Sequence, residues 1–283
     1  MEIHETAIVS PKAKIGQGCK FGPYTIIEDD VEIGENCIFD AFSVVRGGTK
    51  MGNGNHLFEG AVVGGHPQCL GLEHSNGRAV IGDNNLIREH CTVHRSMRDD
   101  GVTEIGSGNM LMVNVHVAHD CRIGSHVLIS NNTMMAGHVS IDDRAVVSGA
   151  VGIHQFCRIG TMAMVGGQAH IVKDVPPYML VDGKSTEITG LNRVGLARNG
   201  VSADDVKLLK DIYKILYRRG LSWKEILRLL SEEYDFGAGA DVVRFLNTTK
   251  RGILRARRMR GGPESDSNSE SAENGEQDGT ADC

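Results

Sequence analysis

The sequence predicts a mainly β protein, a solenoid of six-residue repeats followed by an α-helical C-terminal domain. An apolar residue recurs at every sixth position from Ile3 to Ile171, and beyond Ser202 the apolar spacing becomes helical. A period of six fits neither a helix nor an alternating strand over such a length. It is typical of hexapeptide solenoids, in which short strands form the faces of a prism. The 36 glycines and the aromatic content of 5% also favour a core of small and aliphatic side chains.

The six-residue frame has three exceptions, which are Cys69, Ser75 and Asp99. They fall in residues 64–80 and 94–104, which interrupt the pattern without shifting it. We expect both stretches to project from the prism as loops, where substrate contacts tend to lie. Three hexads make a coil of about 18 residues, and successive coils should stack at roughly 4.8 Å, the spacing of neighbouring strands.

Two positions before each frame residue the side chain is usually small and is expected to point inward. Five of the seven cysteines occupy this position, so we expect reduced, buried thiols. A zinc site would need close cysteine pairs, and the sequence has none. Glycine often follows the frame residue, as at Gly34 and Gly52, where we expect tight turns. The five cysteines are Cys19, Cys37, Cys91, Cys121 and Cys157.

The solenoid is predicted to occupy residues 1–178. Its last segment, Lys173–Tyr178, contains paired prolines, and proline cannot donate to a strand ladder, so we expect no further regular strand. At the other end of the chain, residues 261–283 contain seven acidic residues and no Lys or Arg. This composition predicts a disordered acidic tail.

Residues 179–260 are predicted to form a connecting segment and a C-terminal helical domain. Ser202 and Ser222 are each followed three residues later by an acidic residue, the pattern of a helix N-terminal capping box. A third helix is expected from about Ala240 to Arg258 because the apolar spacing stays helical there.

Charge and hydropathy narrow the function classes. The net charge of −6 argues against a nucleic-acid partner. No apolar run approaches the roughly 20 residues that span a bilayer, and the N-terminal segment shows no signal peptide. We therefore expect a cytoplasmic protein without a transmembrane segment.

Four histidines fall in the short window 114–155: His116, His119, His138 and His154. When positions are counted on an 18-residue coil, the last three fall at neighbouring phases of successive coils. They should therefore lie along one edge of the prism, within about 5–10 Å of one another. Three functions are compatible with this pattern: a general base at His119 oriented by Asp120, a three-histidine zinc site, or anion recognition. Chance alignment of surface histidines is the structural alternative.

At these residues the chain resembles the bacterial acyl-carrier-protein-dependent UDP-N-acetylglucosamine 3-O-acyltransferases, which begin lipid A synthesis. The resemblance covers about residues 1–260, including a basic segment at Lys250–Arg260. AHDC, GHVS and HQF in this order are more specific than the hexads alone. The shared segments are IGDNNLIREHCTVHR (81–95), NMLMVNVHVAHDC (109–121), NNTMMAGHVSIDD (131–143), HQFCRIG (154–160), MVGG (164–167) and DVPPY (174–178).

The resemblance implies a left-handed parallel β-helix and a homotrimer with active sites between subunits. It implies that His119 is the general base, that Asp120 orients it, and that the Gly137 N–H stabilises the oxyanion. The base would take a proton from the 3-hydroxyl of the sugar, which then attacks an (R)-3-hydroxyacyl thioester on acyl carrier protein. No cofactor or metal is implied.

The resemblance also implies a set of substrate contacts. The acceptor and acyl pocket would be lined by His116, His138, His154 and Gln155, and Gly167 would lie at the end of the acyl groove, favouring a long hydroxyacyl donor. Three further substrate contacts, with the nucleotide sugar, are expected from Gln68, Asn192 and Arg198.

Four positions depart from the family pattern, and all concern the acceptor. After Gln68 the family's Asp and Lys are replaced by Cys69 and Gly71, and near Asn192 its Glu and second Arg are replaced by Val194 and Asn199. Losing several charged hydrogen bonds, each contributing about 1.5–3 kcal/mol, would weaken binding of a UDP-sugar. Either neighbouring groups compensate or the acceptor differs.

The alternatives remain open at this point. A 3-amino nucleotide sugar would suit an altered acceptor pocket, and the N-acyltransferase of the later lipid A step shares the fold but normally carries an extra N-terminal domain. A γ-carbonic-anhydrase-like zinc site and a non-catalytic family member are the remaining possibilities. The basic segment Lys250–Arg260 is a candidate for docking the acidic carrier protein, or else a solvated helix face.

Overall fold

Three sheets of short parallel strands form a prism in the computed structural model, which describes residues 1–72 and 74–257. The chain visits the three sheets in turn, and each strand pairs with the strand one coil further along the chain. Frame residues pair with frame residues, for example Val117 with Met135 and Met135 with Ile153. The predicted hexapeptide solenoid is confirmed, and its architecture is a parallel β-helix.

The strands are two to four residues long. The first sheet contains Glu2–Ile3, Lys20–Phe21, Ile38–Phe39, His56–Leu57, Leu86–Ile87, Met110–Leu111, Leu128–Ile129, Val146–Val147, Met164–Val165, Met179–Val181 and Ile188–Leu191. The second sheet contains Ile8–Val9, Ile26–Ile27, Val44–Val45, Val62–Gly65, Thr92–His94, His116–Val117, Met134–Met135, Gly152–Ile153 and His170–Ile171. The third sheet contains Lys14–Ile15, Val31–Ile33, Thr49–Met51, Arg78–Ile81, Val102–Ile105, Arg122–Ile123, Ser140–Ile141 and Arg158–Ile159.

Frame residues fill the prism interior, as their period predicts. Leu57, Ile87 and Ile129 are fully buried, whereas the residue before each of them on its strand faces outward. The small residues two positions earlier are also inside. The five cysteines that share this position are free and buried, which confirms the prediction of structural thiols: Cys19, Cys37, Cys91, Cys121 and Cys157.

Glycine occupies the position after the frame residue for a reason other than the predicted one. Gly34 and Gly52 do not adopt a positive φ, so no turn requires glycine there. A Cβ at Gly34 would instead lie 2.6 Å from the carbonyl carbon of Gly52, one coil further along. Close approach of successive coils therefore excludes a side chain, and the interpretation as turn glycines is wrong.

The parallel stack continues beyond the paired prolines, so the expectation that they end it is also wrong. Met179–Val181 pairs in parallel with Met164–Val165, and Ile188–Leu191 then adds to it as an antiparallel strand. The reason is that Pro177 lies in the turn at a prism corner, where a missing N–H breaks no strand ladder.

Within the described residues, four helices follow the prism. The N-cap side chains of Ser202 and Ser222 accept hydrogen bonds from Asp205 and Glu225, and Ser222 forms the complete capping box that the sequence predicts. The helices are α1 Arg193–Arg198, α2 Ala203–Tyr217, α3 Trp223–Glu233 and α4 Gly237–Asn247.

The last helix ends eleven residues before the expected Arg258, at Asn247. Gly252 adopts φ +66°, and the following residues return to the prism, where Ile253 bridges Asp174 and Ala256 bridges Ile188. Pairing with the sheet therefore replaces the predicted helical turns.

Two further expectations concern residues that lie wholly or partly outside the described part of the chain. The predicted disordered tail, residues 261–283, lies outside them, as do the last three residues of the basic segment Lys250–Arg260. In the described part of the chain, no helix has the length and apolar character needed to cross a membrane.

Candidate active site

The corner between the second and third sheets carries three stacked turns on successive coils. The turns are His119–Asp120, Gly137–His138 and Gln155–Phe156. The His138 N–H donates to the His119 carbonyl at 3.1 Å, and the Phe156 N–H donates to the Gly137 carbonyl at 3.2 Å. The second residue of each turn has φ near +60°, the left-handed region that Asp tolerates better than most residues.

The rings of His119 and His138 lie 5.3 Å apart and perpendicular to each other. Their placement on neighbouring coils agrees with the distance that the repeat phase predicts. The His138 ring also stacks on Phe156, with centroids 4.6 Å apart.

The His119 imidazole and the Asp120 carboxylate form a buried pair. His119 Nδ1 lies 2.9 Å from Asp120 Oδ2, and the two side chains are only 8% and 3% exposed. The loop 94–104 completes the surroundings of the carboxylate, because Ser96 Oγ donates to its Oδ1 at 2.5 Å and the Met97 N–H donates to its Oδ2 at 3.2 Å. Burial raises the pKa of Asp120, but the hydrogen bonds from His119, Ser96 and Met97 outweigh it and lower the pKa to about 2.

This pKa fixes the tautomer of the imidazole. An ionised carboxylate has no proton to donate, so the Asp120 side chain only accepts. His119 Nδ1 must therefore carry the proton that it shares with Asp120. In the neutral ring, Nε2 is left with its lone pair free to accept a proton.

Gly137 leaves room for the His119 ring on the next coil. A Cβ at Gly137 would lie 2.5 Å from His119 Cε1 and 2.7 Å from Nε2, closer than real side chains come. Only glycine fits against this edge of the imidazole. Its N–H donates to no backbone carbonyl among the described residues.

A cleft of about 390 Å³ opens beside His119 along the second sheet. Five residues predicted for the site line it, and they include the base and the candidate oxyanion donor. These five are Gln68, His116, His119, Gly137 and His154. The cleft is also lined by His94, Ala118, Met134, Met135, Ala136, Gly152, Ile153 and His170.

His94 is a cleft residue that the sequence reasoning missed. Its ring lies 4.9 Å from that of His116 and perpendicular to it, and the Thr92 hydroxyl is 2.7 Å from His116 Nδ1. His94 is 8% exposed, and its Nδ1 has no hydrogen-bond partner among the described residues. Burial, followed by the nearby histidines, lowers the pKa of His94 to about 4, so its ring is neutral at physiological pH.

The frame itself contained a signal for His94. It directly follows the frame residue Val93, just as Ala118, Ala136 and His154 follow theirs, so all four lie in one outward row. Ser96 had no such signal, because its position depends on the conformation of a loop outside the repeat.

His138 faces a second groove, on the third-sheet side of the same corner. This groove has a volume of about 550 Å³ and runs from His138 and Phe156 to the segment that follows α4. Its basic members are Arg158, Lys250 and Arg251.

Other predicted substrate contacts lie away from the cleft within this chain. Gln155 occupies the corner turn above His138, and Gly167 lies at the opposite corner of the second sheet. Asn192 is buried as the N-cap of α1, where its Oδ1 accepts from the Gly195 N–H and its Nδ2 donates to the Met162 carbonyl. Arg198 is exposed at the end of α1. Their substrate roles stay predictions.

Comparisons with known proteins agree with this geometry. The family described as UDP N-acetylglucosamine O-acyltransferase, domain 2, matches residues 174–254, and the six-repeat bacterial transferase hexapeptide family matches residues 12–47 and 103–137. An acyl-[acyl-carrier-protein]–UDP-N-acetylglucosamine O-acyltransferase of Burkholderia orbicola is 44% identical over 259 residues, covering 89% of this chain and 99% of the relative. The chain belongs to the UDP-N-acetylglucosamine O-acyltransferase family. It is therefore an acyltransferase, as the resemblance implies.

Solved structures of this acyltransferase family share the fold. The UDP-N-acetylglucosamine acyltransferase of Francisella novicida has a TM-score of 0.87 at 38% identity, covering 89% of this chain and 94% of its own. The enzyme of Bacteroides fragilis has a TM-score of 0.85 at 37% identity, covering 89% and 100%. The prism is the left-handed parallel β-helix implied by the resemblance.

The corner also presents possible metal ligands. His119, Asp120 and His138 each offer one ligand atom, and these atoms lie within 4.8 Å of one another. In the described structure, however, the bond between His119 Nδ1 and Asp120 already engages two of the three groups.

Proposed function

We propose that this acyltransferase transfers an (R)-3-hydroxyacyl group from acyl carrier protein to the 3-hydroxyl of UDP-N-acetylglucosamine, the first step of lipid A biosynthesis, in the cytoplasm. The single observation that carries the proposal is the buried His119–Asp120 pair in the cleft, packed against Gly137. The Burkholderia orbicola relative is an acyl-[acyl-carrier-protein]–UDP-N-acetylglucosamine O-acyltransferase, which supports the same substrates here.

Proton transfer begins at His119. Its Nε2 takes the proton of the sugar 3-hydroxyl while Asp120 holds the other ring nitrogen and stabilises the imidazolium that forms. The sugar oxygen bonds to the thioester carbonyl carbon, and the electron pair of the C=O bond moves onto its oxygen.

The tetrahedral oxyanion then needs a donor, and the Gly137 N–H is placed next to the base to supply one. When the intermediate collapses, the C–S bond breaks. The carrier's sulfur leaves with the bonding electrons and takes the proton from His119, which restores the neutral imidazole. The products are an ester at the sugar 3-position and the free thiol of the carrier.

The identity of the acceptor sugar is tested first, because four positions have lost the charged groups of the family pattern. These positions are Cys69, Gly71, Val194 and Asn199. Purified enzyme is incubated with hydroxymyristoyl carrier protein and either UDP-N-acetylglucosamine or its 3-amino analogue, and products are identified by mass spectrometry. We expect an ester on UDP-N-acetylglucosamine. If an amide formed on the 3-amino sugar and no ester formed on UDP-N-acetylglucosamine, the alternative acceptor would be the correct one. If neither acceptor received an acyl group, the proposed function would be contradicted.

A zinc enzyme of the γ-carbonic-anhydrase type is the second candidate, favoured by the three possible ligands His119, Asp120 and His138. Acid–base acyl transfer needs no metal. We therefore expect acyl transfer to continue after treatment with a chelator. The second candidate would be favoured if the purified protein contained stoichiometric zinc and hydrated carbon dioxide, and if chelation abolished that hydration.

The carrier protein is proposed to dock at the groove beside His138. Arg158, Lys250 and Arg251 place three positive charges next to the catalytic corner, opposite in sign to an acidic carrier. Reversing the charge at Lys250 and Arg251 should raise KM for the carrier, and added salt should do the same to the wild type. An unchanged KM in both cases would leave the segment as a solvated surface.

We propose a homotrimer in which neighbouring subunits complete each cleft. Support comes from Gly167 and Arg198, which lie away from the cleft of their own chain, and from exposed apolar side chains at Ile8 and Phe42. Mixing inactive His119→Asn and Arg198→Ala proteins during refolding tests this. If the sites are shared, some mixed trimers regain activity, whereas sites within one chain regain none.

A further inference from the structure

Arg158 connects the third sheet of the prism to the last helix. It lies on the strand Arg158–Ile159, and its backbone N–H donates to the carboxylate of the fully buried Asp174 at 2.9 Å. From this position its Nη1 donates to the carbonyl of Phe245 at 3.3 Å and to Oγ1 of Thr248 at 3.0 Å. Phe245 belongs to the last turn of α4 and Thr248 is its C-cap residue, so one guanidinium joins the strand to the helix end.

Three physical effects favour this contact. The last carbonyls of a helix lack partners within the helix, and the helix dipole places partial negative charge at the same end. A guanidinium there supplies hydrogen-bond donors and positive charge together. The Arg158 guanidinium carbon also lies 4.0 Å from the centroid of the Phe245 ring, a cation–π contact, and Phe245 is only 2% exposed. The contact therefore uses the planar fork of arginine as well as its charge.

The segment that follows α4 leads back to the prism beside the catalytic corner. Thr249 Oγ1 donates to the Asp174 carboxylate at 2.6 Å, and the Asp174 N–H donates to the Gly252 carbonyl at 2.9 Å. Between these two contacts lie Lys250 and Arg251, which line the groove on the third-sheet side of that corner. The position of the end of α4 therefore determines where this basic pair lies relative to the corner.

Arg158 also lines the groove, but its Nη1 is engaged by the end of α4, whereas Lys250 is exposed. We propose that Arg158 is a positioning residue, which holds the end of α4 on the third sheet and thereby keeps Lys250 and Arg251 beside the catalytic corner, without itself contacting the carrier protein. The proposal rests on the proposed acyl transfer and on the proposed docking of the carrier at this groove. Loss of the contact should weaken carrier binding and leave the chemistry at His119 unchanged.

A double-mutant cycle between the strand and the helix tests this role. Arg158→Met keeps the apolar stem of the side chain and removes its charge and donors, Thr248→Val removes the acceptor at the end of α4, and the two are combined. Arg158→Lys keeps the charge without the planar fork, and it is the smaller change if Arg158→Met does not fold. Arg228→Met is the control, at an exposed arginine on α3 outside the groove.

For each protein, kcat and the KM for hydroxymyristoyl carrier protein are measured at saturating nucleotide sugar, and the melting temperature reports folding. We expect Arg158→Met to raise the carrier KM about 2- to 30-fold with kcat unchanged, the range for residues that act through a packed element. Thr248→Val should raise this KM less. The combined variant should exceed Arg158→Met by less than about twofold, because both changes break one contact. Arg158→Lys should also raise the carrier KM, and Arg228→Met should not.

A wild-type carrier KM in Arg158→Lys would overturn the proposal, because the charge alone would then suffice and Arg158 would act on the carrier directly. So would an unchanged KM in Arg158→Met, or fully additive effects of Arg158→Met and Thr248→Val. A wild type that transfers no acyl group refutes the proposed function instead. A carrier KM that charge reversal at Lys250 and Arg251 leaves unchanged refutes the docking site.

Discussion

Replacing Ser96 by alanine tests the electrostatics behind the base. The Asp120 carboxylate is 3% exposed and accepts hydrogen bonds from His119, Ser96 and the Met97 N–H. A hydrogen bond to a charged group contributes about 1.5–3 kcal/mol, and one pKa unit corresponds to about 1.4 kcal/mol. Ser96→Ala should therefore raise the pKa of Asp120 by about 1 to 2 from its value of about 2.

The sign of the stability effect follows from this lowered pKa. Folding lowers the pKa of Asp120 from 3.8 to about 2, so the ionised carboxylate stabilises the folded state above pH 3.8 and this contribution is lost as the pH falls to about 2. In Ser96→Ala, the free energy of unfolding should fall by about 1.5–3 kcal/mol near neutral pH. The difference from the wild type should close between about pH 4 and pH 2.

The assay is urea unfolding followed by circular dichroism at fixed protein concentration across this pH range. Ser130→Ala is the matched control, at a half-buried serine that directly follows the strand Leu128–Ile129 and lies outside the cleft. Because Asp120 stays ionised at neutral pH in the variant, kcat should fall less than about tenfold. A stability loss below about 0.5 kcal/mol, or one independent of pH, would refute the proposed role of Ser96.

Three further outcomes follow from the same geometry. Gly137→Ala should displace the His119 ring from its place beside Asp120, which lowers kcat at least about tenfold and also lowers the melting temperature; an unchanged kcat would contradict the need for glycine beside the base. Asp120→Asn should lower kcat about 10²- to 10⁴-fold, because the carboxylate that holds the Nδ1–H tautomer of His119 is lost. A kcat equal to that of the wild type would contradict this role of Asp120. Burial lowers the pKa of His94 to about 4, so the free energy of unfolding should fall by up to about 1.4 kcal/mol per pH unit between pH 6.5 and 4. His94→Gln should flatten this slope in urea titrations, and an identical slope would disprove the assignment.

The repeat made the prism and its interior predictable, because each frame residue has the same environment one coil later. The same regularity placed His119 beside His138 and put His116 at an outward position of the second sheet, directly before the frame residue Val117. It also contained the position of His94, which becomes visible only when the residues next to the frame are compared between coils.

Features that break the repeat were not predictable in this way. Ser96 reaches Asp120 through a loop that follows no period. The return of Ile253 to the prism depends on pairing with Asp174, a contact far away in the sequence, which outweighed the local helical pattern. The need for glycine at position 34 was likewise not predictable from nearby sequence, because the atoms that exclude a side chain there belong to the neighbouring coil.

The central claim is that His119 is the base of an acyl transfer, and the most direct measurement is the single-turnover rate of His119→Asn with hydroxymyristoyl carrier protein and UDP-N-acetylglucosamine. His126→Asn is the matched control, an exposed turn histidine outside the cleft. We expect His119→Asn to lose about 10²- to 10⁴-fold in rate and to have a lower melting temperature, because its hydrogen bond to the buried Asp120 is removed, while it stays folded by circular dichroism. His126→Asn should keep the wild-type rate. A His119→Asn rate within about tenfold of the wild type would contradict the claim.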